Sequence, residues 1–401
     1  MIPKVLRIAR VAQAFTPGAP VDKLDLFAGR FNQIQDVVSA VSQKGQHVGL
    51  YGERGVGKTS LANVLAEIYA NPALPHFQSA LVNCNSEDSF ESIWQNVFRE
   101  LQIEDIPRLA TPEDVRFAIA KLDPPAIIVI DELDRLDDDD ALTLLADSIK
   151  TFSDHAVAST VVLVGVASSI GDLIGEHESI VRALVQVQMP RMTMKELEEI
   201  VEKACGKAGL TASPDAVAKI AVLSEGLPHY THLLGLYAGQ RAVQDDRSEI
   251  TIGDVNAAIP QAVERHTIQS DYDKAIRSTQ TDNLYRQVLL ACALAPKNAL
   301  GYFTAGSIRD PLEVIAKRRL EIPAFARHLN QFLQFERGSV LQREGEKRHY
   351  FYRFTDPIMQ PYVILDGLSS GLLTDDQLVE IQSGAKPATS ESETIVPQQL
   401  F

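Results

Sequence analysis

Gly52-Glu53-Arg54-Gly55-Val56-Gly57-Lys58-Thr59, followed by Ser60, decides how the rest of the chain is read. A glycine, four residues, then glycine, lysine and a hydroxyl residue is the spacing of a phosphate-binding loop. Here it stands after the apolar run 47–51 and before the helical pattern of Leu61, Val64, Leu65 and Ile68, so strand, loop and helix come in the required order. Three glycines let backbone N–H groups converge on an anion, and the following helix adds its positive N-terminal end. Residues 52–60 are therefore expected to bind ATP, with Lys58 reaching the β- and γ-phosphates and Thr59 offering its hydroxyl to Mg²⁺.

The site's second half is expected at the end of the apolar run Ala126 to Ile130, a buried parallel strand closed by Asp131-Glu132. An aspartate there orients Mg²⁺ and a glutamate polarises the water that attacks the γ-phosphate. The acidic residues 137–140 just beyond read as the solvated start of a helix. Thr160 to Val166 is a further strand, and Ser168 at its tip either holds the attacking water or γ-phosphate or caps a turn. Arg182, before a fifth strand at Leu184 to Gln188, either reaches a neighbouring subunit's nucleotide or pairs on the surface with Glu176 or Glu178.

Composition bounds the rest. A chain of 401 residues exceeds one hydrophobic core, and a net charge of −15 excludes a surface that coats nucleic acid throughout. The scattered Cys84, Cys205 and Cys292 lack metal-site spacing and read as reduced thiols of a cytoplasmic protein. No apolar run is long enough to span a bilayer, so no membrane contact is expected.

The expected organisation is an N-terminal arm over 1–28, a nucleotide-binding core over 29–190, a helical lid over 191–266, a linker over 267–281, a winged-helix domain over 282–368 and a tail over 369–401 that ends in disorder. Thr193-x-x-Glu196 opens the lid as a capping box, and His229 at the start of a later lid helix either faces the nucleotide or is an ordinary helix-start residue. Helices begun near Asp282, Asp310 and Pro323 followed by two β runs describe a winged helix. Arg327, Gln331 and Gln334 on its third helix, with Lys347, Arg348 and His349 at the hairpin tip, are the expected contacts to double-stranded DNA. Between Asp310 and Phe354, nine Lys/Arg stand against six Asp/Glu.

With these pieces placed, the chain from about residue 20 to about residue 365 resembles the AAA+ ATPases, in the branch of the origin-recognition and cell-division-control initiators and the related STAND-like ATPases. The resemblance rests on Phe27-Ala28-Gly29-Arg30 as an adenine-side box, the phosphate loop, Ile130-Asp131-Glu132, Ser168 as first sensor, Arg182 as arginine finger, and a lid followed by a winged helix. It implies an α/β fold with a five-strand parallel sheet of order 5-1-4-3-2, nucleotide contacts from Gly29, Arg30 and His229, ATP hydrolysis and assembly into a homo-oligomer. Where initiators carry a lid arginine, this chain has Gly226-Leu227-Pro228-His229, which resembles the STAND-like form and implies instead a nucleotide switch or adaptor acting on a protein partner.

Overall fold

The structure, a computed structural model, describes residues 4–21, 23–69, 76–104, 108–174, 180, 182–264, 268–278, 283–298, 300–346 and 349–384. The chain forms two compact units, Met1–Ala262 and Val263–Phe401.

In the first unit the elements run α1 (Lys4–Ala14), α2 (Phe31–Val41), β1 (His47–Gly52), α3 (Lys58–Tyr69), β2 (Gln78–Asn83), α4 (Phe90–Glu100), α5 (Pro112–Ile119), β3 (Ala126–Asp131), α6 (Asp139–Asp154), β4 (Thr160–Val166), α7 (Ile170–Ile174) and β5 (Leu184–Met189). The five strands are parallel and lie in the order β2-β3-β4-β1-β5, the expected order counted from the other edge. Burial explains their composition: β3 is buried at every position, whereas the edge strands β2 and β5 alternate between buried and accessible residues. Trp94 and Phe98 of α4 and Phe152 of α6 fill the core against this sheet. The acidic run after β3 is a helix start, because the Asp138 carboxylate accepts from the N–H groups of Asp140 and Ala141.

A helical lid follows: α8 (Met194–Ala208), β6 (Thr211–Ala212), α9 (Pro214–Leu223), α10 (Pro228–Gln244), β7 (Glu249–Ile250) and α11 (Ile252–Glu264). The Thr193 hydroxyl and Glu196 carboxylate form the expected capping box. The N-terminal α1 packs on α8 and α10 with Val11, Ala14 and Phe15 buried, and its Lys4 pairs with Asp246 at 3.0 Å.

The second unit contains α12 (Gln269–Ile276), α13 (Tyr285–Leu294), β8 (Phe303–Thr304), α14 (Arg309–Ala316), α15 (Ile322–Phe332), β9 (Leu341–Glu344), β10 (Phe351–Phe354), α16 (Met359–Ser369) and α17 (Asp375–Gly384). Phe325, Leu329 and Phe332 form the inward face of α15, and β9 and β10 pair antiparallel with β8 on the far side of β10. Two expectations are corrected. The stretch read as a linker contains α12, which buries Tyr272 and Ala275, and Tyr272 donates its hydroxyl to Asp366 of α16. The stretch read as a tail contains α17, where Leu378 is buried and Gln377 donates to the Val314 carbonyl at 3.1 Å. Residues 385–401, and Asp282, which was expected to open a helix, lie outside the described residues.

Candidate functional site: the phosphate loop at the carboxyl ends of the sheet

The loop between β1 and α3 adopts the conformation its glycines allow. Gly55 and Gly57 have φ of 84° and 97°, and a Cβ on Gly52 would meet the Met189 carbonyl oxygen at 2.4 Å, so neither the turn nor the approach to β5 admits a larger residue. Lys58 is buried, and its ammonium folds back to donate to the loop carbonyls of Gly52 at 3.1 Å and Glu53 at 2.8 Å. Burial lowers its pKa to about 8, opposed by the negative charges of Asp134, Asp131 and Glu53 in that order. Arg54 at the loop's outer turn is exposed.

Strand β3 delivers Asp131 beside this loop. Thr59 donates its hydroxyl to the Asp131 carboxylate at 2.6 Å, and the other carboxylate oxygen accepts from the Glu132 N–H at 2.7 Å. Burial pushes the Asp131 carboxyl above the ordinary aspartate value, while these two donors and the Lys58 charge pull it back. A hydroxyl and a carboxylate, both hard oxygens, suit Mg²⁺ completed by phosphate oxygens and water. Among the described residues no cluster of three or more His, Cys, Asp or Glu forms an all-protein metal site, so any such ion here would need ligands from elsewhere.

Glu132 stands in the left-handed region at φ 56°, unusual for a side-chain-bearing residue and a form of strain common at functional sites. Its carboxylate is held by Arg135 at 2.7 Å, so it must leave that partner to act on a water. Ser168 lies half-buried just past β4, whose Val166 is in register with Gly52, and therefore stands at the phosphate-loop end of the sheet. Asp134 was missed in the sequence although it follows Asp131 by three residues; its carboxylate accepts from the Val166 N–H at 2.7 Å and fixes the tip of β4.

Arg182 is exposed and sits at the opposite end. Leu184 pairs with His47 at the start of β1 and Met189 with Gly52 at its end, which separates Arg182 from its own phosphate loop by roughly 20 Å at ~3.3 Å per strand residue. Glu176 and Glu178, the alternative partners, lie outside the described residues.

Arg30 is 2% exposed and its guanidinium donates to the carbonyls of Val56 at 3.0 Å and Pro190 at 2.6 Å, bracing the loop against β5. The N–H groups of Gly29 and Arg30 are each held at 3.0 Å by α8, through Glu199 and Glu196. An apolar cavity beside the loop is lined by Val21, Phe27, Val56, Met192, Pro228 and His232, among others. Its free volume is about 30 Å³.

His229 stands in the first turn of α10. Its ring nitrogen bonds the Pro17 carbonyl at 2.8 Å and it does not line the cavity; one helical turn on, His232 does. His232 Nδ1 accepts from the Thr16 N–H at 3.2 Å, and burial lowers its pKa to about 4. A helix-start position in sequence could not say which of the two histidines turns inward.

A sheet of this order with a phosphate loop after β1 and an aspartate at the end of β3 defines an AAA+ nucleotide-binding fold. The comparisons narrow it: residues 41–173 match the family model described as AAA domain. The structure is similar to a Walker-type ATPase of Pyrococcus abyssi, with TM-score 0.53 at 16% identity over 88% of this chain and 99% of that one. It is also similar to the ORC2 protein of Aeropyrum pernix, solved in ADPNP and ADP complexes, with TM-score 0.51 at 14% identity over 93% and 98%. These similarities are likenesses of fold. No curated protein sequence matches the chain.

In the second unit, Arg327 is exposed on α15, but the Gln331 side chain accepts from the Tyr285 hydroxyl and Gln334 lies beyond the end of the helix. Both are corrected as groups on one presented helix face. Lys347 and Arg348 lie outside the described residues, and His349 is exposed. Arg343 of β9 is exposed, bonded to Asn330 at 3.0 Å and stacked on Tyr350 at 4.1 Å. No helix among the described residues is long and apolar enough to cross a membrane.

Proposed function

We propose that this protein binds ATP with Mg²⁺, hydrolyses it, assembles with copies of itself, and acts on double-stranded DNA or a DNA-bound complex through a winged helix in its second unit. The observation that carries the reading is the meeting of Lys58, Thr59 and Asp131 at the carboxyl ends of the parallel strands. Lys58 exchanges the loop carbonyls for β- and γ-phosphate oxygens, and the N–H groups of residues 52–60 complete the phosphate shell. Thr59 and Asp131 would hold Mg²⁺, which would neutralise charge developing on the phosphates. Glu132, once it leaves Arg135, takes the proton of the attacking water, and Ser168 orients that water or the γ-phosphate. Arg182, remote from its own loop, serves a neighbour's site. Gly29 and Arg30 shape the base side.

For DNA, α13, α14 and α15 followed by β9 and β10 have the winged-helix order, and the exposed Arg327 and Arg343 are its described basic groups. A second reading, a nucleotide switch acting on a protein partner, is favoured by Pro228, which packs near Gly57 and lines the cavity where an initiator would present a lid arginine. Titration of a fluorescent ATP analogue into wild type, Lys58→Ala and Glu132→Gln tests the core reading. Binding should vanish in the first variant and persist without turnover in the second; unchanged affinity in Lys58→Ala overturns the site. Duplex binding that needs ATP and weakens with salt supports the DNA reading, and ATP-independent absence of binding leaves the switch.

A further inference from the structure

Arg191 follows Pro190 at the exit of β5, and nothing in the sequence singled it out. Its guanidinium pairs with Glu53 at 2.7 Å, side chains 20% and 13% exposed, and Glu53 is the second residue of the phosphate loop. The same guanidinium donates at 3.1 Å to the carbonyl of Glu225, in the turn that opens lid helix α10. That turn is built around the contact. Glu225 is left-handed at φ 50°, Gly226 at 80°, and a Cβ on Gly226 would stand 2.6 Å from the Arg191 Cβ. The Met192 N–H donates to the Gly226 carbonyl at 2.9 Å and fixes the two segments side by side. Two residues later Pro228 lines the cavity beside the loop.

We propose that Arg191 is the positioning residue that couples the phosphate loop to the lid: it holds the Glu53 carboxylate and the Glu225 carbonyl together, and the terminal phosphate of a bound nucleotide draws on the same guanidinium and so sets the lid's position. The partly buried pair is screened less than a surface one, so phosphate charge placed beside Glu53 competes with it effectively. A guanidinium suits the task because its fork of fixed donors serves two acceptors at once. ADP, lacking the γ-phosphate, leaves the Glu53 pair in place, whereas ATP weakens it and frees the turn at 225–228.

The proposal rests on the nucleotide reading, and the test separates the two. Spin labels at Lys44→Cys and Asp215→Cys, exposed positions on the core and on α9, report the lid distance in the full chain, since the native cysteines are buried. In wild type the distance distribution with a non-hydrolysable ATP analogue should differ from that with ADP. Arg191→Met should broaden the nucleotide-free distribution and make the two nucleotide-bound ones coincide, with affinity for ADP within about threefold of wild type. The conservative Arg191→Lys, whose ammonium still donates to both the Glu53 carboxylate and the Glu225 carbonyl, should keep the nucleotide-free distribution narrow. An unchanged nucleotide-free distribution in Arg191→Met overturns the link, and a surviving ATP–ADP difference overturns the coupling. ADP affinity lost by about 100-fold or more would make Arg191 a general nucleotide contact instead. Wild type that binds no nucleotide would overturn the ATP reading, while the nucleotide-free measurements still decide whether Arg191 holds the lid.

Discussion

Thr59 and Asp131 are 72 positions apart and meet at 2.6 Å, the hydroxyl donating to the carboxylate. The contact joins the first turn of α3 to the end of β3, two strands away from β1 in the sheet. It also gives the buried Asp131 a partner for its charge, so the pair is set before any ion arrives.

Removing one charge from that pair should affect the metal more than the nucleotide. Asp131→Asn is expected to weaken the Mg²⁺ dependence of ATP binding by at least about tenfold, on the order of 1.4 kcal/mol, with affinity in chelator unchanged. Titrating Mg²⁺ at fixed ATP analogue measures this. Equal losses with and without the ion would place Asp131 in folding.

Lys58, with its pKa lowered to about 8, should make nucleotide binding pH-dependent. Phosphate contacts favour the charged form, so the bound pKa is higher than the free one. Below pH 7 the lysine is charged in both states and affinity is flat. Above about 8 binding must take up a proton, and affinity should fall by up to about tenfold per pH unit until the bound-state pKa is reached. Calorimetry in two buffers of different ionisation heat at pH 9 should detect that proton, and its absence would contradict the assignment.

Arg182 cannot serve its own loop from the far end of β5. ATPase activity per subunit should therefore rise with protein concentration, and Arg182→Ala should lower the assembled rate by about 10³. Mixing Arg182→Ala with Lys58→Ala protein supplies a second check, because each kind of subunit lacks what the other keeps, and recovered turnover is expected. Flat specific activity with normal hydrolysis by Arg182→Ala would remove the trans role.

Acid should unfold the first unit through two histidines. His47 and His232 each accept a backbone N–H at Nδ1, from Val161 and Thr16, and burial lowers both to about 4 from 6.5. Above pH 6.5 the ring is neutral folded or unfolded, and stability is complete. As pH falls from 6.5 to 4 the unfolded chain gains protons that the folded one refuses, costing up to about 3 kcal/mol for each ring. His47→Asn and His232→Asn should flatten urea-denaturation midpoints across that range; unchanged pH dependence would assign the acid loss elsewhere.

What the sequence determined by itself was the set of features carried by neighbouring residues. Gly52 to Thr59 specifies its loop because three glycines, a lysine and a hydroxyl act through local backbone geometry. The run Ala126 to Ile130 specifies a central strand because continuous apolar residues are compatible with burial on both faces. Thr193 and Glu196 specify a helix start because the capping box closes within three residues. Tertiary structure decided whatever depends on residues distant in the chain. Helix α12 is polar apart from Tyr272, Ala275 and Ile276, and Tyr272 gains its place through Asp366, 94 positions later. His232 rather than His229 turns to the cavity because the segment at Thr16 and Pro17 crosses α10 there. Arg191 reads as an ordinary residue after a proline until β5 brings it to Glu53, 138 positions earlier, and the turn at Glu225 closes over it. Local periodicity records which face is apolar; only packing of the whole chain decides which charged group meets which, because those pairs form across distances that no period in the sequence encodes.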